Sequence, residues 1–197
     1  VLKGSKIFVT NGPLADIFVV FANVDKSKGF LGITGFILEK EMQGLSIGKL
    51  TQKMGLRTST MSELYLDNCE VPVSNRLGEE GWGTKIFRSS MEWERSIILA
   101  NYLGVMEHQL EKCIQYAKER CQFRRPIAKF QAISNRIVSM KMRLETARLL
   151  LYKVAWEKET YGQCPMDAAL AKLYLSENFV QFCMDAMRIF GGYGFMS

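Results

Sequence analysis

The feature that most constrains this chain is a change of hydrophobic period part of the way along it. Up to about residue 75 the apolar residues come in short runs broken by turn signals. Lys6-Ile7-Phe8-Val9-Thr10 is β-branched and aromatic and is closed by Asn11-Gly12-Pro13. Ile17 to Ala22 is a continuous apolar run of strand length, followed by the polar loop Asp25-Lys26-Ser27-Lys28-Gly29. Gly32 to Leu38 is a further strand, and Ser62 to Asp67 alternates, so that one face is buried and the other wet. From Trp82 onward the period is helical. Trp82–Lys118 carries Phe87, Ile97, Ile98, Leu103, Met106, Leu110 and Ile114 with no proline between. Phe130–Tyr161 places Ile133, Ile137, Met140, Leu144, Ala147, Leu151 and Ala155 at steps of three and four. Asp167–Phe190 forms a third helix ended by Gly191-Gly192. The expected fold class is α+β: an antiparallel β-barrel or sandwich over 1–75, then an antiparallel bundle of long helices over 76–197.

Composition removes several classes of function. The 197 residues are 48% hydrophobic and 23% charged, which excludes a disordered chain. No apolar run approaches the roughly 20 residues of a membrane helix, and no targeting pattern is visible, so a cytoplasmic location is expected. The start at Val1 and the stop just past a glycine turn both read as cuts, so a fragment is expected. The net charge is +6, but basic residues alternate with acidic ones, as in Lys118-Glu119-Arg120, so no nucleic-acid track is expected. The one dense cluster, Arg120, Arg124, Arg125 and Lys129, suits a phosphate-bearing small molecule. Five cysteines without CxxC spacing and a single histidine, His108, give no basis for a metal site or a disulfide framework.

Strands followed by long helices are an uncommon order, and the motifs are more specific still. Gly4-Ser5-Lys6-Ile7-Phe8-Val9-Thr10-Asn11, Lys53-Met54-Gly55-Leu56-Arg57-Thr58-Ser59, Leu77-Gly78-Glu79-Glu80-Gly81-Trp82-Gly83, Glu94-Arg95, Arg120-Cys121-Gln122-Phe123, Phe130-Gln131 and Gly191-Gly192-Tyr193-Gly194 follow one another in that order. Together they resemble the middle and C-terminal parts of the acyl-CoA dehydrogenases, flavoproteins that desaturate acyl thioesters. The resemblance implies a partial middle β domain over 1–75 and a partial C-terminal helical domain over 76–197.

The resemblance also implies FAD as cofactor. Phe8, Val9 and Thr10 match the strand whose aromatic residue and threonine face the flavin ring. Arg120, Gln122, Phe123 and Gln131 match positions near the dinucleotide of a neighbouring subunit, and Gly191 and Gly192 match the glycine pair beside the phosphates. Read without the resemblance, Phe8 is also an ordinary core aromatic, and Arg120 a cation favoured at any helix C-terminus. Three positions depart from the family pattern. Arg124 stands in place of a glycine, Arg188 in place of a glutamine near the presumed phosphates, and Met61 in place of a threonine.

The reaction implied needs a base for the α-proton while hydride leaves the β-carbon for the flavin. A carboxylate in a dry pocket suits that task. Glu94, immediately before Arg95, matches the minority of the family that carries the base on the first long C-terminal helix. The rest of the family carries it beyond the span of Ser197. Glu92 and Arg95 match positions along the path of the thioester. The implied partners are an acyl thioester on CoA or on a carrier protein, an acceptor for the electrons of reduced flavin, and further copies of the chain in a homodimer or homotetramer. The competing expectation is a non-catalytic helical oligomerisation or interaction module with a β cap, which would purify colourless.

Overall fold

The computed structural model describes residues 1–196. It divides into two units, Val1–Arg88 and the remainder from Ser89 on. In the first unit six strands form, β1 (Leu2–Thr10), β2 (Ile17–Asn23), β3 (Ile33–Glu39), β4 (Leu45–Ile47), β5 (Met61–Cys69) and β6 (Arg76–Leu77). They make two three-stranded sheets, in the orders β1-β5-β4 and β2-β3-β6. All pairs are antiparallel, as the sequence predicts. The inner faces share one core of Leu2, Phe18, Val20, Leu38, Leu64, Leu66 and Cys69. In β5 the alternation is the one read from sequence: Ser62, Leu64 and Leu66 are buried, while Tyr65 and Asp67 face out. The continuous apolar run of β2 is different. Phe18 and Val20 point inward, whereas Ile17 and Val19 stay exposed.

Two details of this unit depart from a simple strand reading. Between Lys6 and Val9 the register of β1 against β5 slips by one residue, and Phe8 takes up the extra position at φ 56°. That is a bulge with its first residue left-handed. The other departure is the end of the unit. Expected near residue 75, it falls later, because β6 pairs with β3 through Gly35–Leu77 and Phe36–Arg76. The Gly81 N–H also donates to the buried Thr34 hydroxyl at 2.9 Å. Strands of two and three residues, such as β6 and β4, carry too little pattern to be read as periodic.

The helices are α1 (Gly83–Ile97), α2 (Ala100–Glu119), α3 (Gln131–Tyr161) and α4 (Pro165–Phe190), with a two-stranded hairpin, β7 (Cys121–Gln122) and β8 (Arg125–Pro126), between α2 and α3. The division between units falls within α1. The single helix expected over Trp82–Lys118 is broken at Ile98-Leu99. Neither glycine nor proline causes the break. The buried Ser96 hydroxyl donates to its own helix, to the carbonyls of Glu92 (2.9 Å) and Trp93 (3.2 Å). Such back-bonding bends helices. The ladder beyond it stretches to 3.4 Å at Ile98 and tightens to an i→i−3 bond at Leu99.

Two clusters hold the bundle. One gathers Leu99 from the start of α2, Ala147, Leu151 and Val154 from the second half of α3, and Ala168, Ala171 and Leu175 from the first half of α4. The other gathers Met106, Leu110 and Cys113 from later in α2, Met140 and Leu144 from the first half of α3, and Phe182, Ala186 and Ile189 from the end of α4. This assignment fixes the directions: α2 and α4 run parallel, and α3 runs against both. All five cysteines are free thiols. Among the described residues no helix is long and apolar enough to cross a membrane.

Candidate functional site

A cleft of about 560 Å³ opens where α2 ends and α4 ends. Arg120 caps α2, its N–H donating to the Tyr116 carbonyl at 2.8 Å, and its own carbonyl accepts from Ile127 N–H at 2.8 Å. That second bond closes the β7–β8 hairpin and holds Gln122 beside Arg120. The hairpin turns through Phe123 (φ 51°) and Arg124 (φ 64°), a pair of left-handed residues where Asn-Gly is the usual choice. On the far wall α4 stops at Gly191, whose φ 60° and ψ −128° are open only to glycine without strain. Tyr116 ties the walls together. Its ring lies 4.8 Å from that of Phe190, and its hydroxyl donates to the Phe190 carbonyl at 3.4 Å.

Arg120, Gln122, Gly191 and Gly192 all line this one cleft, although some seventy residues separate the two pairs. A Cβ added at Gly191 or Gly192 would meet no protein atom within 4 Å. The space beside them is therefore open to whatever enters the cleft. A guanidinium, a carboxamide and unshielded glycine backbone, set among the rings of Tyr116, Phe190 and Tyr193, form a donor set that fits a phosphate-bearing group with an aromatic ring. Tyr116 belongs to the lining without having been singled out in the sequence. Only its three-dimensional neighbours mark it.

In the helical unit, three expected cofactor residues lie outside that lining. Phe123 is almost wholly exposed at the hairpin tip, 6.1 Å edge-on from Phe130, whose ring also carries the Arg125 guanidinium at 4.2 Å. Gln131 begins α3 and is exposed. Arg188 leans back along α4 to Asp185 at 3.4 Å. Asp185 is buried and also accepts from Arg136 and Arg143 of α3, each at 2.7 Å. Burial alone would raise its carboxyl. The hydrogen bonds and charges of Arg143 and Arg136 outweigh that and hold it below the usual carboxylate range.

The two α1 carboxylates are in contrasting surroundings. Glu92 is half-buried, and its Oε1 accepts from Lys158 Nζ (2.9 Å) and from the Cys164 N–H (2.5 Å). Burial raises its carboxyl, and the Lys158 and Cys164 hydrogen bonds more than reverse this, leaving it below its ordinary value. Glu92 was expected along the thioester's path, but this oxygen is already occupied by the α3–α4 turn. Glu94 and Arg95, by contrast, are exposed. His108 is likewise exposed, on α2.

In the first unit Phe8 and Thr10 face outward and Val9 packs toward the sheet core. The end of β1 is held by the Asn11 N–H, which donates to the Thr60 carbonyl at 2.8 Å. Thr60 in turn lines a recess of about 430 Å³ with Leu50, Thr51, Gln52, Lys53, Arg57 and Ser59.

Comparison with known proteins gives the lineage. Residues 1–69 match the middle domain, and residues 81–197 the C-terminal domain, of acyl-CoA dehydrogenase. The L-prolyl-[peptidyl-carrier protein] dehydrogenase of Pseudomonas fluorescens is 46% identical over 98% of this chain and 51% of its own length. The short-chain specific acyl-CoA dehydrogenase of Megasphaera elsdenii is also 46% identical, over the same shares. The chain thus spans about half the length of these curated relatives. Among solved structures, the prolyl acyl carrier protein oxidase AnaB superposes with a TM-score of 0.95 at 50% identity, covering 98% of this chain and 51% of that one. PigA with FAD and proline superposes at 0.94 with 41% identity, covering 99% and 51%. With both domain signatures in order and the same fold in both units, this chain belongs to the acyl-CoA dehydrogenase family.

Proposed function

We propose that the protein carrying this chain is an FAD-dependent dehydrogenase that introduces an α,β double bond into an acyl thioester. The observation that carries this reading is the convergence of Arg120, Gln122, Gly191 and Gly192 on one cleft. When bound, FAD supplies the acceptor for the hydride. Arg120 and Gln122 hold the phosphate-bearing portion of a neighbouring subunit's FAD, where the glycine pair leaves the backbone open to it, and Phe8 and Thr10 flank the flavin ring. Glu94 takes the α-proton, and Arg95 lies along the thioester's approach. The test is Glu94→Gln in the full-length protein. It keeps shape but not basicity, so flavin reduction on adding thioester should slow about 10²–10⁴-fold while bound FAD is unchanged. Reduction at the wild-type rate would remove Glu94 from the mechanism.

A carrier-protein thioester is favoured over CoA by the prolyl-carrier relatives in both comparisons and by the run Met91-Glu92-Trp93-Glu94-Arg95. A prolyl thioester on its carrier should then reduce the flavin faster than butyryl-CoA does. The electron acceptor is an electron-transferring flavoprotein or oxygen, in line with a relative that is a subunit of an Etf complex and a neighbour named as an oxidase. The protein is a homo-oligomer located in the cytoplasm, a compartment that suits five free thiols. Two apolar stripes support self-association: Val138, Met142, Leu149, Tyr152 and Trp156 on α3, and Met166, Leu170, Leu173, Val180, Met184 and Met187 on α4, all exposed. Sedimentation as a monomer at micromolar concentration would refute this.

A further inference from the structure

We propose that Glu92 is a positioning residue for Glu94: clamped by Lys158 and the N-terminus of α4, it fixes the rotation of α1 so that Glu94 faces away from the α3–α4 turn. This rests on the reading of Glu94 as the base.

The need for such a clamp follows from the break at Ile98-Leu99. Across a continuous helix, the packing of α2 would dictate which way every α1 side chain points. With the ladder interrupted by the Ser96 back-bond, that rotation is not inherited. Nor does apolar burial supply it. In the last turns of α1 Trp93 and Ile97 are half-exposed, and the one fully buried side chain is Ser96.

Glu92 fills the gap with two donors on one oxygen, the Lys158 ammonium at 2.9 Å and the Cys164 N–H at 2.5 Å. The Glu92 and Lys158 side chains are only 13% and 11% exposed, so water screens the pair weakly. Cys164 is the N-cap of α4 and its own side chain makes no capping bond there. A carboxylate from another helix thus serves as the cap of α4, where the helix dipole favours negative charge. Lys158 Nζ also lies 5.5 Å from the centre of the Trp93 ring, which pins a second face of the same turn.

The geometry then sets Glu94. Successive helical residues are rotated by about 100°, so positions two apart point to nearly opposite sides. With Glu92 directed at the α3–α4 turn, Glu94 is directed outward, as its exposure records. A slip of one residue in this anchoring would swing Glu94 by a quarter-turn or more, out of hydrogen-bond reach of any α-carbon it served.

The experiment uses the full-length protein with FAD bound and compares Lys158→Met, Lys158→Arg and Glu92→Gln. Hydrogen exchange of residues 90–97, measured without substrate, should rise about tenfold or more in Lys158→Met. Flavin reduction should slow about tenfold or more, with KM within about twofold of wild type. Lys158→Arg keeps the cation and should restore both. Glu92→Gln keeps an acceptor for Cys164 and should fall between. Unchanged exchange in Lys158→Met overturns the proposal. So does a raised KM with unchanged kcat, which would make the pair a substrate contact. Glu94→Gln run alongside separates the two readings. If it reduces flavin normally, the base reading fails and the positioning role falls with it. If it is inactive while exchange in Lys158→Met is unchanged, the positioning role alone fails.

Discussion

Asp185→Asn removes one negative charge from a site that three arginines share. The carboxylate accepts two 2.7 Å bonds, from Arg136 and Arg143, and a longer one from Arg188. Charge-assisted bonds of this kind contribute about 1.5–3 kcal/mol each when isolated from water. Part of that is recovered in the variant. Asn keeps one oxygen acceptor, and Arg136 and Arg143 are partly exposed, at 37% and 26%, so water re-solvates them. The expected loss is therefore about 2–3 kcal/mol, at or below the lower end of the range for breaking a buried ion pair. For a chain of this size that lowers Tm by about 4–12 °C. Urea unfolding followed by circular dichroism measures the change, with exposed Asp16→Asn as a control that should stay within about 0.5 kcal/mol. The pH dependence has a definite sign. Because the native carboxyl titrates below its unfolded value, its contribution is present above the ordinary carboxylate range and is lost as pH falls through the depressed pKa. The gap between wild type and variant should be constant near neutrality and close below about pH 4. A gap under about 0.5 kcal/mol at pH 7 would refute the reasoning, because it would mean that the arginines are as well solvated without Asp185 as with it.

Other perturbations test other parts of the structure. Arg124→Gly should stabilise the protein by about 1 kcal/mol in urea unfolding, since φ 64° costs a side chain strain that glycine avoids. Arg120→Ala should loosen FAD by about one to two decades in affinity, read as flavin lost on dialysis. In the native protein a thiol reagent at pH 8 should label exposed Cys121 first. Cys113, buried and pushed up to about 11, should react only on unfolding. Phe182→Ala, at the centre of one core cluster, should cost about 3–5 kcal/mol in the same unfolding assay.

Local chemistry was legible in the sequence, and partnerships between distant residues were not. The long helices could be read because α3 repeats its apolar residues over many turns, and because Gly162 and Gly191, both at positive φ, stop α3 and α4. The break in α1–α2 could not be read, since a serine bonding its own helix leaves no mark in composition. Among the candidate site residues, Arg120, Gln122, Gly191 and Gly192 were singled out by motif, and one cleft is lined by all four. Glu92 and Arg188 were also found by motif, but their contacts depend on Lys158, Cys164 and Asp185. The partners of Glu92 lie 66 and 72 positions away, and Asp185 takes its charge balance from α3, 42 and 49 positions away. One chain's periodicity holds no information at that range. Phe8 illustrates a subtler limit. Read by alternation it is an ordinary core aromatic, and the left-handed bulge that turns it outward leaves no mark in the pattern.

The parallel run of α2 and α4 on either side of α3 has a consequence for how a ribosome delivers this domain. Both core clusters take residues from all three helices, so neither can close as an α2–α3 hairpin alone. When Tyr161 has left the exit tunnel, Met106, Leu110, Met140, Leu144 and Leu151 are all made and none has its α4 partner. Leu175 arrives midway through α4, and Phe182 and Ile189 only as its last turns emerge. During that interval the nascent chain presents a long greasy seam to the solvent. A chaperone that binds such seams should therefore hold this domain until the Gly191-Gly192 stop has left the tunnel, and release it soon after.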